Sequence, residues 1–232
     1  MSARRQTRGA GRTRHQDHGR AGTIGCIEWA FSTAVDRAGI RVGAGAAGRG
    51  AVGGEVGGAV PESGSERIAW DGRVVTATWL APPFRPPRQL VTQVLGLCFT
   101  ADGRIVLVAT ADGSRTLPGG PPEPGETLEA ALDRELREEA CARLVACAYL
   151  GSQRVEDPAR PDGPARYYQA RFWARVELHP FEARYETVAR QLVDPAAFLD
   201  TLTWGRDASA RIILAEGRRH ERLVAVQSGP AD

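Results

Sequence analysis

The spacing of apolar and polar residues along the chain predicts a mixed α/β domain. Strands are expected where β-branched and aromatic residues alternate with polar ones, or form short apolar runs bounded by turns. These segments are residues 73–80, 90–100, 104–109, 144–153 and 167–177. The sequence Ala-Asp-Gly between the second and third segments predicts a hairpin turn. The predicted sheet therefore draws its strands from residues 73–177.

Two further segments have the spacing of amphipathic helices. Residues 127–140 place Leu128, Ala131 and Leu132 on one stripe at 100° per residue. Residues 207–222 place their apolar side chains inward and several arginines outward. Strands, one helix, further strands and a terminal helix make a domain of roughly 150 residues, which is long enough to bury a core.

The start of the chain differs in composition from the rest. Residues 1–20 are Arg-rich, and residues 41–60 form a Gly, Ala and Val tract with almost no large side chains. Too little apolar area is available there to offset chain entropy. We therefore predict a disordered segment over 1–65, a folded domain over 66–225 and a short tail over 226–232. A solvated tail or an over-extended start is favoured over an arm that touches nucleic acid.

Charge and cysteine content narrow the class of protein. The formal net charge of +2 argues against a chain that binds polyanions over its whole surface. The cysteines form no C-x-x-C pair and have no His at zinc spacing, so reduced thiols in a cytoplasm are expected. No apolar run is long enough to predict a membrane span. Nucleic acid is not expected as a partner, and a homodimer is left open.

The apolar stripe of the first predicted helix continues into three carboxylates. Glu135, Glu138 and Glu139 stand three and four positions apart, where an ordinary helix would place Leu or Ala. Burying like charges is costly without a positive partner. Arg134 and a divalent cation could neutralise them, and carboxylate ligands favour Mg²⁺ or Mn²⁺ over zinc. The alternative is a solvated acidic face held by Arg134 and Arg137, which does not explain why the acids follow the leucines.

Residues from Gly120 to Glu139 resemble the Nudix box. That pattern is Gly, five residues, Glu, seven residues, then Arg-Glu-aliphatic-x-Glu-Glu-x-Gly-aliphatic, and every fixed position up to Glu139 matches. One position departs, because Cys141 stands where the family has Gly. A Gly just past a helix end normally supplies a positive φ, and another residue there costs on the order of 1 kcal/mol. This departure affects the backbone just after the helix and removes none of the expected metal ligands.

The resemblance implies a Nudix-type α/β/α sandwich with a mixed sheet. It also implies a metal-dependent hydrolase that cleaves a pyrophosphate bond. The substrate would be a nucleoside diphosphate linked to another group, such as ADP-ribose, or a nucleoside triphosphate. Glu135, Glu138 and Glu139 would bind Mg²⁺ or Mn²⁺, with the Gly120 carbonyl as a further ligand. The metal would screen the charge of the pyrophosphate and lower the pKa of water.

The resemblance assigns roles to the remaining box residues less directly. Arg134 and Glu126 would hold the loop–helix–loop together, and Arg134 is counted with Glu138 and Glu139 as part of the catalytic set. The general base is either a Glu of the box or an acid from a later loop. The candidates in that loop are Glu182 and Glu186, and Glu186 is preferred.

Two other functions and the choice of substrate stay open. A catalytically silent nucleotide sensor with the same fold would be expected to lose box carboxylates, and a nucleic-acid-binding protein would act through the Arg-rich start. Specificity in such enzymes depends on residues outside the box. Aromatic side chains that could stack on a base are Trp79, Phe84 and Tyr167, and arginines that could meet phosphates are Arg88, Arg115, Arg154 and Arg171.

Overall fold

The structure is a computed structural model that describes residues 62–70 and 72–227. The predicted disordered segment, 1–65, lies outside the described residues except for 62–65, which belong to the first strand. Of the predicted tail, only residues 226 and 227 are described, and they end the last helix. The domain bounds stay predictions.

Within the described residues the chain forms strands, helices and one short 3-10 helix, Arg88–Leu90. The strands are β1 (Glu62–Trp70), β2 (Arg73–Leu80), β3 (Val91–Phe99), β4 (Ile105–Thr110), β5 (Arg115–Thr116), β6 (Gly119–Gly120), β7 (Ala142–Glu156), β8 (Arg166–Leu178) and β9 (Thr187–Val193). The helices are α1 (Leu128–Ala140), α2 (Phe198–Thr201) and α3 (Ala208–Gln227).

The strands form one mixed sheet. Its order is β1-β2-β7-β8-β3-β4-β5, with β6 added beside β3 and β9 beside β4. The β3–β8 pair is parallel, and the other pairs are antiparallel. Strand β8 pairs with β7 on one side and with β3 on the other. It thereby brings Val91–Phe99 next to Arg166–Leu178. This topology confirms the predicted mixed sheet.

Each face of the sheet is covered by a helix. Leu132 and Leu136 of α1 pack in one core cluster with Val94 of β3. Ile213 of α3 packs in a second cluster with Leu95, the next residue of the same strand. Successive side chains of a strand point to opposite faces, so β3 contributes to both cores. The α/β/α sandwich predicted from the sequence is confirmed.

Among the strands longer than two residues, two were not predicted from the sequence. β1 contains the run Glu-Ser-Gly-Ser-Glu-Arg and is held by antiparallel pairing with β2. β9 has several exposed positions along its length and is held by pairing with β4. β9 depends on a strand that is distant in sequence, whereas β1 pairs with the strand that follows it directly in the chain. Neither has the apolar pattern that marks a strand on its own. Among the described residues, no helix is long and apolar enough to cross a membrane.

Candidate functional site

Helix α1 begins and ends with residues suited to those positions. The Thr127 hydroxyl accepts a hydrogen bond from the N–H of Ala130 at 3.1 Å and caps the first turn. At the other end Cys141 has φ 46 and lies in the left-handed region. The Gly that the motif usually has at this position would adopt the same left-handed conformation. The backbone of the motif is therefore retained although the residue type is not.

Two carboxylates of α1 face the strand β6. Glu139 accepts a hydrogen bond from the backbone N–H of Gly119 at 2.8 Å. Glu135 is only 6% exposed and lies against Gly120, where a Cβ would overlap its carboxylate. β6 pairs with β3 in the middle of the sheet, so the acids of α1 are brought against a strand with no side chains. The glycines thus make room for the carboxylates.

Arg134 connects the helix to the loop that precedes it. Its guanidinium donates to Glu135 at 2.7 Å, to Glu138 at 3.2 Å and to Glu126 at 3.2 Å. It also donates to the carbonyl of Pro121 at 3.0 Å. These bonds support the expectation that Arg134 and Glu126 hold the loop–helix–loop together.

Arg88 strengthens the same loop from outside the motif. It donates to the carbonyl of Glu123 at 3.0 Å and to that of Glu126 at 2.9 Å. From its sequence, Arg88 is a candidate phosphate ligand. In the structure its donors are used by backbone carbonyls, so its contacts are those of a residue that shapes the loop.

Arg134 only partly offsets the negative charge of the acids at this site. Burial, with smaller contributions from the nearby charges of Glu135, Glu186 and Glu138, raises the pKa of Glu139 to about 7 against the opposing effect of the Gly119 hydrogen bond. Burial also raises the pKa of Glu135, although Arg134 opposes the shift. The site is electrostatically suited to an additional cation.

The two candidate acids of the later loop are placed differently. Glu186 interacts electrostatically with both Glu135 and Glu139, and the next residue, Thr187, donates its hydroxyl to the Glu139 carbonyl at 2.7 Å. Glu182 is exposed and pairs with Arg184. Its backbone N–H lies 3.4 Å from the sulfur of Cys141. The structure brings Glu186 to the carboxylates of α1 and leaves Glu182 at the exit of the helix.

The donor set suits a hard divalent cation. Carboxylate oxygens and a backbone carbonyl are the ligands that Mg²⁺ and Mn²⁺ prefer. In the described part of the chain no three His, Cys, Asp or Glu side chains are grouped closely enough to hold a metal ion, and Arg134 Nη1 bonds both Glu135 and Glu138. The space above Gly120, which a Cβ would fill, holds the Glu135 carboxylate. A cation that binds both Glu135 and Glu138 would compete with Arg134 Nη1 for their carboxylate oxygens.

The three aromatic side chains expected to recognise the substrate pack within the described part of the fold. Trp79 is 4% exposed in the α3-side core, and Phe84 packs on Tyr168 with 5.7 Å between ring centroids. Tyr167 is covered by the guanidinium of Arg160. Of the arginines, Arg115 bonds Gln191, whereas Arg171 is buried and lines a cavity. The Nε of Arg154, on β7, lies 3.8 Å from the Oε1 of Glu156.

Three contacts of the site cannot be predicted from the sequence motif. They are the Gly119 N–H on Glu139, the Thr187 hydroxyl on the Glu139 carbonyl, and Arg190 at the end of α1. Arg190 donates to the carbonyl of Ala140 at 2.7 Å and to that of His179 at 2.9 Å. A cation at a helix C-terminus satisfies carbonyls that have no partner within the helix. Each contact joins residues far apart in sequence, so only the fold reveals it.

Comparison with known proteins gives the family. The NUDIX domain matches residues 90–214, which is more than half of the chain. The Bacillus subtilis pyrophosphohydrolase BsRppH has a similar structure, with a TM-score of 0.52 and 22% identity over 63% of this chain and 92% of its own. No match was found among curated protein sequences.

Two other solved structures are less similar. The MutT protein from Methanosarcina mazei Go1 has a TM-score of 0.41 and 19% identity over 56% of this chain and 94% of its own. A NUDIX hydrolase from Nitrosomonas europaea has a TM-score of 0.45 and 16% identity over 56% of this chain and 90% of its own.

The α/β/α sandwich and the carboxylates of α1 define a class of hydrolase that acts on acid anhydrides in phosphorus-containing substrates. The chain belongs to the Nudix family.

Proposed function

We propose that this protein hydrolyses a pyrophosphate bond of a nucleotide with the help of Mg²⁺ or Mn²⁺. The cation would be held by Glu135, Glu138 and Glu139, with the carbonyl of Gly120 as a further ligand. The observation that carries the proposal is the under-neutralised group of acids packed against a glycine strand, in which burial raises the pKa of Glu139 to about 7. A divalent cation would neutralise this group.

The residues of the chain divide the work of the reaction. The cation, when bound, screens the charge of the pyrophosphate and makes water a better nucleophile. Arg134 holds the acidic helix on the loop of residues 121–126 and so fixes where the ligands point. Gly119 orients Glu139 through its N–H. These contacts set the geometry before the substrate arrives, which is the main requirement for positioning an attacking water.

Glu186 is our candidate for the proton acceptor. Its side chain is exposed and close enough to act electrostatically on Glu135 and Glu139, so it lies at the open side of the acidic group. A base must come within hydrogen-bond reach of the water it activates. The anchoring of Thr187 on the Glu139 carbonyl fixes the position of Glu186 relative to α1. Glu138 and Glu139 are the alternatives within the motif.

The substrate is proposed as a nucleoside diphosphate linked to another group or a nucleoside triphosphate. A cytoplasmic location is proposed because the buried Cys98 and the partly exposed Cys141 form no disulfide. Both proposals leave the biological role open, because one fold supports many substrates.

The test is turnover of a substrate panel by the full chain. Nucleoside triphosphates, nucleotide sugars, dinucleoside polyphosphates and ADP-ribose are incubated with Mg²⁺, with Mn²⁺ or with a chelator, and phosphate and nucleotide release are measured. Metal-dependent cleavage of one class supports the proposal. Nucleotide binding without turnover of any panel member would contradict it and indicate a sensor.

Metal binding is tested separately by thermal unfolding. Mg²⁺ stabilises only a state that binds it, by about 2.7 kcal/mol at a hundred times its Kd. We expect the melting temperature to rise with Mg²⁺ in the wild type, and the rise to be lost in Glu138→Gln. Glu129→Gln, which removes an acid from the first turn of the same helix, serves as the matched control. An equal rise in all three proteins would contradict the assigned ligands.

A further inference from the structure

The C-terminal end of α1 is bound by two side chains of β9. The Thr187 hydroxyl donates to the carbonyl of Glu139 at 2.7 Å, and Arg190 Nη1 donates to that of Ala140 at 2.7 Å. These are the last two carbonyls of the helix, where no partner is available within the helix itself. Glu186 is the residue just before β9. The strand that follows Glu186 is therefore fixed to the helix that carries the acids of the site.

Arg190 also binds the other end of the loop that carries Glu186. This loop, residues 179–186, joins β8 to β9. Arg190 Nη1 donates to the carbonyl of His179 at 2.9 Å and lies 3.2 Å from that of Cys141. The N–H of His179 in turn donates to the Cys141 carbonyl at 2.9 Å. One guanidinium thus joins the first residue of the loop to the end of α1.

The charge of Arg190 is directed at these carbonyls. Among the described residues no carboxylate pairs with it. Alternate residues of a strand share a face, and Leu192 packs against the core cluster that contains α1. Arg190 therefore points to the same side of the sheet as the helix. A cation at a helix C-terminus is stabilised by the partial negative charge of the free carbonyls, which favours this arrangement.

The two bonds that hold the loop bear directly on Glu186. A loop fixed at its first residue and at the residue after its last has little freedom to move away from α1. A proton acceptor must stay within hydrogen-bond reach of the water it activates, and a misplacement of about 1 Å can cost about a hundredfold in rate. We propose that Arg190 is a positioning residue that holds the loop 179–186 on the end of α1 and thereby places Glu186. This inference rests on the proposed function, in which Glu186 is the proton acceptor.

Steady-state kinetics of Arg190 variants test the inference with the substrate that the wild type cleaves fastest. In Arg190→Gln we expect kcat to fall about tenfold and KM to stay within about twofold, because the change displaces the base and leaves substrate contacts in place. Arg190→Lys keeps a cation with rotatable donors and should retain kcat within about threefold of the wild type. An Arg190→Gln enzyme with unchanged kcat, or with a change in KM alone, would overturn the inference.

Arg184→Gln is the matched control for the loss of a cation. Arg184 belongs to the same loop, is 70% exposed and pairs with the exposed Glu182. Its removal should leave kcat and KM within about twofold of the wild type, because exposed ion pairs contribute little. A loss in Arg184→Gln as large as that in Arg190→Gln would show that the loop responds to its total charge, and would overturn the specific role of Arg190.

A double-mutant cycle shows whether Arg190 acts through Glu186. Removing a general base lowers kcat by about a hundredfold or more, so Glu186→Gln should have the larger single effect. Added to Glu186→Gln, the change Arg190→Gln should lower kcat by less than about twofold, since a base that is absent cannot be misplaced. A further tenfold loss would show that Arg190 acts through another group and would overturn the inference. Wild-type kcat in Glu186→Gln would overturn it as well.

Amide hydrogen exchange of the full chain separates this inference from the proposed function, because it needs no turnover. The backbone of residues 179–186 should exchange at least about tenfold faster in Arg190→Gln than in the wild type and in Arg184→Gln. If Arg190→Gln does not fold, Arg190→Lys replaces it and should show a smaller increase over the wild type.

The exchange and turnover results together distinguish the two proposals. Faster exchange of the loop in the Arg190 variant, with no nucleotide cleaved by the wild type, would contradict the hydrolase and support the role of Arg190 in holding the loop. Cleavage by the wild type, with loop exchange and kcat unchanged in the Arg190 variant, would support the hydrolase and overturn the role of Arg190.

Discussion

The Glu139 carboxylate accepts a hydrogen bond from the backbone N–H of Gly119 at 2.8 Å, across 20 positions of sequence. The bond ties the last turn of α1 to the two-residue strand β6 and so to the middle of the sheet. A neutral N–H orients a carboxylate without cancelling its charge. The pKa of Glu139 accordingly remains raised, to about 7, mainly by burial. The bond therefore fixes the direction of the ligand and leaves neutralisation to a cation.

The first prediction concerns the charge of Glu139. Glu139→Gln keeps an oxygen that can accept from Gly119 but removes the negative charge. We expect kcat/KM to fall about a hundredfold or more with the fold intact, because a metal ligand is lost. Steady-state kinetics with circular dichroism tests this, and Glu129→Gln is the control that should lose less than about twofold. Retained activity with ordinary metal dependence would refute the assignment.

The second prediction concerns the space at Gly120. A Cβ at this position would overlap the Glu135 carboxylate, so Gly120→Ala must displace that side chain. We expect the apparent Mg²⁺ affinity and kcat/KM to fall by about tenfold or more, as for other changes that misorient a metal ligand. Pro121→Ala, at the exposed neighbouring residue, should leave both near the wild-type values. An unaffected Gly120→Ala enzyme would show that Glu135 is not a ligand.

How far the sequence predicts this protein depends on how local each feature is. The helix predicted over 127–140 is observed as Leu128–Ala140, because its cap and its apolar stripe lie within one segment. The sequence also predicts the spacing of the three glutamates, since a helix brings positions three and four apart together. β1 was not predicted because its first half is polar, and β9 was not predicted because it depends on pairing with the distant strand β4.

The same limit applies within the site. The Gly119 N–H, the Thr187 hydroxyl and the Arg190 guanidinium meet the end of α1 only after the sheet has formed. The sequence assigned Arg171 to phosphates on residue type alone. Its burial beside Gln153 and Gln169 changes that interpretation, and burial cannot be read from a single arginine in a strand pattern.

The third prediction concerns the backbone at Cys141. Its φ of 46 is unfavourable for a residue with a Cβ, and Gly at such a position stabilises by about 1 kcal/mol. Cys141→Gly also loses the weak contacts of the sulfur with the Glu182 backbone at 3.4 and 3.5 Å. Cys141→Ala loses the sulfur as well but keeps the Cβ. In urea unfolding we expect Gly to exceed Ala in free energy of unfolding by about 1 kcal/mol. A Gly variant less stable than the Ala variant would contradict this.

The fourth prediction concerns the pH dependence of stability. His220 of α3 stacks on Trp173 with 6.0 Å between ring centroids. Burial lowers the pKa of His220 below its ordinary value, with Glu216 acting against the shift and Arg219 adding to it. The unfolded chain therefore binds this proton more readily than the folded protein. The contribution of His220 to stability is fully present above about pH 6.5 and is lost as the pH falls toward the lowered folded pKa.

Urea unfolding at about pH 7.5 and about pH 5.5 tests this contribution. In His220→Gln the decrease in the free energy of unfolding between the two conditions should be smaller than in the wild type, because one proton uptake has been removed. His179→Gln is the matched control, since His179 is exposed and its removal should leave the decrease unchanged. An equal decrease in the wild type and in His220→Gln would show that protonation of His220 does not oppose folding.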